Sequence, residues 1–138
     1  MASELLLDTG ALVALLDRSQ NVHRKCVGFY STWTGLVVTS EAVLTESTHL
    51  LSGTPHGATA CIDFVLRAGV FVAPSTEASL RRCRELMDKY SDLPMDFADA
   101  TLVVLAEELN TNVVFTVDRD FSVYRIGGRR AFHIVPGL

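Results

Sequence analysis

The sequence predicts an α/β fold with a mainly parallel sheet and helices on both of its faces. Short apolar runs of three or four residues alternate with segments of helical periodicity along all 138 residues. Strands joined by helices run parallel, and right-handed crossovers place those helices on both faces of the sheet. No linker, repeat or low-complexity segment divides the chain, so we expect a single domain over residues 1–138.

The first half of the chain is expected to contribute three strands and four helices. Leu5–Leu7 has the composition of a short buried strand, and Asp8-Thr9-Gly10 forms the turn into a helix. Ser40 has the position of an N-cap, and the cluster Ser52-Gly53-Thr54-Pro55 marks a loop. In order, we expect a strand at 5–7, helices at about 11–17 and 22–30, a strand at 36–39, helices at 41–51 and 57–67, and a strand at 70–73.

The second half is expected to contribute two long helices and the last two strands. Thr76 is placed to cap a charged helix over residues 77–90. A long amphipathic helix is predicted over residues 96–109, and strands over 113–116 and 132–135.

The composition limits the class of protein. Hydrophobic residues make up 49% of the chain, the mean hydropathy is +0.28 and the net charge is −4. Cys26, Cys61 and Cys83 are an odd set at wide spacing, which favours reduced thiols over disulfides or zinc ligation. Neither a signal peptide nor an apolar run of the ~20 residues that a membrane span needs is apparent. We therefore expect a cytoplasmic protein that does not enter the membrane.

Four acidic residues follow short apolar runs or lie in the helices that come after them: Asp8, Glu46, Asp99 and Asp118. If those runs are neighbouring parallel strands, the four acids meet at the carboxyl edge of one sheet, where open α/β sheets bind their ligands. Two carboxylates 4 Å apart repel by roughly 4 kcal/mol at an effective dielectric constant of about 20. Such a cluster needs protons or a cation, and the simplest explanation is a divalent metal site.

Each acid also has an ordinary structural explanation. Asp8 can cap a helix, Asp96 can cap the helix that carries Asp99, and Asp118 can be a turn residue at a strand end. Asp99 is harder to explain in this way, because Leu102, Val103 and Ala106 place it on the apolar stripe of its helix. Glu46 shows the same conflict: it lies three residues after Val43 and four before Leu50, which we expect to define the buried face of its helix.

Oxygen ligands without histidine or cysteine select hard cations, Mg²⁺ or Mn²⁺, over zinc. A magnesium-class ion bound by a few carboxylates can orient a nucleophilic water and bridge a phosphate oxygen, which is the chemistry of phosphodiester hydrolysis. The hydroxyl groups of Thr9 and Thr116 are candidates to hold a water, although strand-end packing and capping explain them as well.

Four motifs in order carry a family resemblance that spans Leu5 to Phe121. The opening Leu5-Leu6-Leu7-Asp8-Thr9-Gly10-Ala11-Leu12-Val13-Ala14-Leu15-Leu16-Asp17 resembles the start of PIN-domain ribonucleases, particularly the VapC-type toxins of toxin-antitoxin pairs. The other three motifs resemble the later acidic motifs of that family, and they are Val43-Leu44-Thr45-Glu46, Asp96-Phe97-Ala98-Asp99-Ala100 and Thr116-Val117-Asp118-Arg119-Asp120-Phe121.

The resemblance implies a three-layer α/β/α sandwich around a five-stranded parallel sheet. It also implies an endoribonuclease that depends on Mg²⁺ or Mn²⁺ and leaves 5′-phosphate and 3′-hydroxyl ends. The acids carried over as catalytic and metal-binding are Asp8, Glu46, Asp99 and Asp118, with Asp96, Asp120 and Thr116 as auxiliary residues; Asp118 and Asp120 can exchange roles. VapC-type proteins form homodimers, and a cognate antitoxin protein covers their active-site groove, so we expect both kinds of partner beside the RNA substrate.

Two groups of arginines are candidates for contacts with RNA phosphates. The first contains Arg81, Arg82 and Arg84, and the second contains Arg125 and Arg129.

Three other classes of protein fit less well. A phosphohydrolase of the haloacid dehalogenase type expects an aspartate two residues after Asp8, where this chain has Gly10. A receiver-like signalling domain expects an acid after a middle strand, where this chain has Ala73-Pro74. A degenerate PIN-like module that only binds RNA or protein remains an alternative, but such a module would more often have lost an acid, and all four are present.

Overall fold

A five-stranded parallel sheet forms the centre of the computed structural model, which describes residues 4–137. The described residues form seven strands, five in this sheet and two in a separate ribbon. They are β1 (Leu5–Leu7), β2 (Val37–Ser40), β3 (Phe71–Ala73), β4 (Val113–Phe115), β5 (Arg125–Ile126), β6 (Arg130–Ala131) and β7 (His133–Val135). The large sheet has the order β3-β2-β1-β4-β7, and β5 pairs with β6 in a separate antiparallel ribbon. The prediction of a five-stranded parallel sheet is therefore confirmed.

Six helices within residues 4–137 cover this sheet: α1 (Thr9–Leu16), α2 (His23–Tyr30), α3 (Glu41–Leu51), α4 (Gly57–Ala68), α5 (Glu77–Lys89) and α6 (Phe97–Leu109). Helix α1 packs against α2 and α3, and α3 packs against α4, whereas α5 packs against α6. The result is the expected α/β/α sandwich. No helix within residues 4–137 is both long and apolar enough to cross a membrane.

The apolar strand β1 lies at the centre of the sheet because it is covered on both faces. Leu5, Leu6 and Leu7 are completely buried, as is typical of a central parallel strand. Leu7 is in register with Phe115 of β4, and the backbone N–H of Asp8 donates to the Phe115 carbonyl at 3.0 Å. The pairing of β1 with β4 thus fixes where the residues just beyond both strands lie.

The helix caps predicted at Ser40, Thr76 and Asp96 are present in the structure. Ser40 accepts a hydrogen bond from the backbone N–H of Val43 at the start of α3. Thr76 and Ser79 form a reciprocal capping box at the start of α5, and Asp96 accepts from the backbone N–H of Asp99 at 2.8 Å. Predicted and observed bounds of the helices and strands differ by one or two residues, as is usual where element ends fray.

Two small elements between β4 and β7 were not predicted. A 3₁₀-helix spans Arg119–Ser122, and the β5–β6 hairpin follows it. The hairpin turns at Gly127 and Gly128, whose φ angles of 61° and 76° are in the left-handed region that glycine adopts without strain. These elements are short and polar, so they carry no hydrophobic periodicity that would reveal them in the sequence.

Candidate metal centre

The carboxyl edge of the sheet gathers three aspartates from distant parts of the chain. Asp8 directly follows β1, and Asp118 lies three residues beyond the end of β4, the neighbouring strand. Asp99 is in the first turn of α6. One carboxylate oxygen from each of the three lies within 4.8 Å of the other two. The predicted convergence of Asp8, Asp99 and Asp118, hereafter the aspartate trio, is therefore present in the structure.

Two members of the trio are buried. Asp8 and Asp99 expose only 4% and 7% of their surface, while Asp118 is half-buried. The N-cap position alone does not explain Asp8, because its side chain makes no capping hydrogen bond at the start of α1. Its carboxylate instead faces the other acids.

Thr116 holds the Asp8 carboxylate in place. Its hydroxyl donates to Oδ2 of Asp8 at 2.6 Å and accepts from the backbone N–H of Asp118 at 2.9 Å. The only proton of the hydroxyl is already donated, so Thr116 orients two members of the trio rather than donating to a water. The backbone N–H of Asp120 in turn donates to Oδ1 of Asp118 at 2.9 Å.

Tyr124 plays the corresponding role for Asp99, although no sequence pattern predicts it. The completely buried phenol donates its O–H to Oδ2 of Asp99 at 2.8 Å. Burial and this contact with a carboxylate raise the pKa of Tyr124, which keeps its proton in place. The residue lies between the 3₁₀-helix and the β5–β6 hairpin, and only the position of these unpredicted elements brings it to the site.

The electrostatics of the trio favour a cation. Burial is the main cause that raises the pKa of Asp8 to about 6, against the opposing hydrogen bond from Thr116. Burial and then the charge of Asp8 raise the pKa of Asp99 to about 8, against the hydrogen bond from Tyr124. The metal-free site would therefore retain protons near neutral pH. Because all three donors are carboxylate oxygens, the residues fit a hard divalent cation.

Glu46 lies beside the trio but is not part of it. Its Oε1 accepts the hydroxyl proton of Thr9, the residue after Asp8, at 2.8 Å. Burial raises the pKa of the Glu46 carboxyl, and the neighbouring charge of Asp96 raises it further. Glu46 thus lies next to the trio, and its hydrogen bond with Thr9 holds it there.

The sequence argument that placed Glu46 on a buried helix face was wrong in one respect. Leu50 is 61% exposed, and the buried stripe of α3 runs through Val43, Ser47 and Leu51 instead. Glu46 flanks this stripe and is half-buried, so its contact with Thr9 is what directs it to the site.

The two auxiliary acids take different positions. Asp96 is the N-cap of α6, as its spacing from Asp99 predicted, and its charge also raises the pKa values of Asp8 and Glu46. Asp120 is partly exposed at the rim, where slight burial, and after it the charge of Asp118, raises its pKa.

Three of the arginines considered for RNA contacts have partners within the protein. Arg82 donates through Nε and Nη2 to the two carboxylate oxygens of Glu107, at 2.9 Å each. Glu107 lies eight residues after Asp99 along α6, or roughly 12 Å along the helix axis. This ion pair is therefore remote from the trio.

Arg81 pairs with Glu77 on the exposed face of α5. Nη1 of Arg125 donates to three backbone carbonyls at the end of the 3₁₀-helix, the closest at 2.9 Å. Arg129 is exposed and makes no side-chain hydrogen bond or ion pair with the part of the chain that the structure describes.

Comparisons with known proteins agree in fold and family. The family model described as PIN domain matches residues 5–127. Ribonuclease VapC26 of Mycobacterium tuberculosis (strain ATCC 25618 / H37Rv) is 31% identical over 137 residues, which cover 96% of this chain and all of that relative.

Two solved structures share the fold. Mycobacterium tuberculosis VapC20, described as a Sarcin-Ricin loop cleaving toxin, has a TM-score of 0.80 at 23% identity over 86% of this chain and 93% of its own. A chain of VapBC2 from Rickettsia felis, solved bound to a DNA fragment from their promoter, has a TM-score of 0.65 at 14% identity over 95% of this chain and 98% of its own.

Proposed function

This chain belongs to the PIN domain family, and from that premise we propose that it is a metal-dependent endoribonuclease and the toxin of a toxin-antitoxin pair. The observation that carries the proposal is the aspartate trio, whose carboxylate oxygens lie within 4.8 Å of one another at the carboxyl edge of the sheet. The name of the relative VapC26, a ribonuclease, supports the same substrate class.

We assign the binding of the cation to Asp8, Asp99 and Asp118, and we propose that the cation is Mg²⁺ or Mn²⁺. Such an ion, when bound, neutralises charge on the phosphate and on the transition state of hydrolysis. Thr116 and Tyr124 keep the carboxylates of Asp8 and Asp99 in the orientation in which both can face one ion. A water molecule attacks phosphorus, the bond from phosphorus to the 3′ oxygen breaks, and the products are a 5′-phosphate and a 3′-hydroxyl.

Glu46 is proposed to accept the proton of the attacking water. Its Oε1 accepts the hydroxyl proton of Thr9, and burial and the neighbouring Asp96 raise the pKa of its carboxyl, which makes the ionised group a better proton acceptor. This assignment separates Glu46 from the three metal-binding acids, although the family resemblance groups all four. Asp96 and Asp120 retain the auxiliary role of adding negative charge around the site.

Arg84 and Arg129 are the candidates for a phosphate contact that the structure supports best, because both are exposed and free of internal partners among residues 4–137. Arg81, Arg82 and Arg125 remain candidates only if RNA displaces their present partners. The ion pair of Arg82 with Glu107 makes that displacement least favourable there.

The nuclease activity is tested by incubating purified protein with structured RNA in EDTA, in Mg²⁺ and in Mn²⁺. We expect cleavage only with metal, and we expect Asp8→Asn to abolish it. Asp88→Asn, which alters an exposed acid on α5, is the matched control and should cleave like the wild type. Cleavage that persists in Asp8→Asn after rigorous purification would overturn the assignment.

The separate role of Glu46 is tested by comparing Glu46→Gln with Asp118→Asn. Glu46→Gln should lose cleavage but keep most of the rise in melting temperature that Mn²⁺ causes, because the trio is intact. Asp118→Asn should lose both. Equal loss of the Mn²⁺ response in the two variants would return Glu46 to the set of metal ligands.

We further propose that the chain acts as one domain in the cytoplasm, forms a homodimer and binds a cognate antitoxin protein. The VapBC2 structure from Rickettsia felis supports the antitoxin by analogy of fold. Light scattering after size exclusion tests the dimer, and a purely monomeric protein at micromolar concentration would contradict it. Co-expression with the product of a neighbouring open reading frame, followed by co-purification and loss of RNA cleavage, tests the antitoxin.

A further inference from the structure

We propose that the groove between the first turns of α3 and α6 binds an unpaired guanine base of the RNA, next to the phosphate that is cleaved. The inference rests on the proposed ribonuclease function and adds a base-binding site to it. The groove has a volume of about 520 Å³ and is lined by Glu41 and Glu46 from α3 and by Asp96 and Phe97 at the start of α6. A volume in this range is typical of pockets that hold a small organic group.

The groove adjoins the aspartate trio. Asp96, in its wall, accepts a hydrogen bond from the backbone of Asp99 at 2.8 Å, and Glu46 is joined at 2.8 Å to the residue that follows Asp8. A nucleotide whose phosphate lies at the trio can therefore place its own base, or that of a neighbouring nucleotide, in the groove.

The groove offers an aromatic surface for stacking. Phe97 lines it and is 39% exposed, although a phenylalanine gains most when it is buried. Proteins that read single-stranded RNA stack unpaired bases on exposed aromatic rings of this kind.

The charge of the groove excludes a phosphate and favours a base with hydrogen-bond donors. Its lining contains the carboxylates of Glu41, Glu46 and Asp96, and no lysine or arginine of the described residues. Ionised carboxylates only accept hydrogen bonds. Among the four bases, guanine presents two adjacent donors, N1–H and the N2 amino group, which match the two oxygens of one carboxylate.

Glu41 is the residue best placed to make this contact. It is exposed in the first turn of α3, and its carboxylate has no hydrogen-bond or ion-pair partner within residues 4–137. Glu46, in contrast, already accepts from Thr9.

The experiment compares Phe97→Leu and Glu41→Gln with the wild type on a cleaved RNA in which the base beside the cut is guanine, adenine, cytosine or uracil in turn. We expect Phe97→Leu to lower kcat/KM by about tenfold, mainly through a higher KM, since stacking on an aromatic ring is lost. Glu41→Gln should reduce the preference for guanine over the other bases. Phe71→Leu changes the 60% exposed phenylalanine of β3 and is the matched control.

Two further measurements separate this inference from the proposed function. The rise in melting temperature with Mn²⁺ should be the same in Phe97→Leu as in the wild type, which shows that the trio is intact. Binding of labelled single-stranded RNA to Asp8→Asn, followed by fluorescence anisotropy, should be tightest for the oligonucleotide with guanine, and Phe97→Leu in this background should weaken it.

If the wild type cuts no RNA, the proposed function fails while the binding measurement still decides on the groove. If Phe97→Leu and Glu41→Gln retain wild-type kcat/KM, base preference and RNA binding, the groove holds no base. It would then be assigned to another occupant, such as a basic protein segment, and the inference is overturned.

Discussion

Replacing Asp99 by asparagine isolates the electrostatic cost of the aspartate trio. Asparagine has the same shape, and its amide oxygen can still accept the O–H of Tyr124, now at 2.8 Å from Oδ2. The substitution removes one of the three negative charges. In the metal-free protein it should therefore increase stability, and in the presence of metal it should remove a ligand.

The size of the effect follows from the separation of the carboxylates. Two unit charges 4.8 Å apart repel by about 3.5 kcal/mol at an effective dielectric constant of about 20. Asp99 has two such neighbours in the trio, but bound protons relieve part of the repulsion. We expect Asp99→Asn to be more stable than the wild type by about 2–4 kcal/mol in EDTA at pH 8.5, where these protons are lost.

The effect should disappear at low pH. The pKa values of Asp8 and Asp99 in the folded protein, about 6 and about 8, lie above the ordinary value of 3.8, so the folded state binds more protons than the unfolded state between these limits. Stability that these acids contribute below pH 4 is lost as the pH rises through 6 and 8, at about 1.4 kcal/mol per pH unit for each excess proton. At pH 4 the variant and the wild type should differ by less than about 1 kcal/mol.

Urea unfolding at pH 4 and pH 8.5, in EDTA and in Mn²⁺, measures these differences. Mn²⁺ should stabilise the wild type by mass action and stabilise Asp99→Asn much less. Asp88→Asn, on the exposed face of α5, is the control, because it removes one negative charge away from the trio. A difference between Asp99→Asn and the wild type that does not change between the two pH values would refute the repulsion within the trio.

Two further substitutions probe residues whose contacts the sequence did not predict, Tyr124 and Arg82. Tyr124→Phe removes the hydrogen bond that opposes the rise in the pKa of Asp99. The affinity for Mn²⁺, measured by calorimetry, should therefore fall by about tenfold, and the pH midpoint of binding should increase. Unchanged affinity would mean that Tyr124 only packs. Arg82→Leu removes both hydrogen bonds to Glu107 and should lower the free energy of unfolding in urea by about 1–2 kcal/mol. RNA cleavage should stay at the wild-type rate. A selective loss of RNA binding would instead make Arg82 a phosphate contact.

The large elements of the fold could be predicted because their physical signals are local. A triple leucine in β1 and side-chain caps such as Ser40 and Thr76 each act within a few residues, and the structure contains all of them. The 3₁₀-helix Arg119–Ser122 and the β5–β6 hairpin depend on contacts across the fold instead. The backbone N–H of Gly127, for example, donates to Glu107 of α6 at 3.0 Å.

The same distinction explains which parts of the site could be predicted. Asp99 was identified because a charge on the apolar stripe of α6 conflicts with its own neighbours, and the burial of Leu102 and Ala106 confirms that stripe. Glu46 was identified from an incorrect buried face, since Leu50 is exposed. Tyr124 carried no signal, because a tyrosine near the end of a chain is ordinary until tertiary structure brings it to a carboxylate.

Hydrogen bonds of the backbone and of Thr116 fix the arrangement of the trio. The backbone of Asp8 is bonded to Phe115 at 3.0 Å, and that of Thr116 to Val135 at 3.1 Å, so the loops after β1 and β4 continue the hydrogen-bond ladder of the sheet. The Thr116 hydroxyl then fixes the Asp8 carboxylate within this frame. Because the frame is formed by buried strands, removing metal should raise the electrostatic energy of the site without unfolding it. A bound divalent ion relieves the repulsion between the ionised acids. The metal-free protein should therefore be least stable at the pH where the ion binds best.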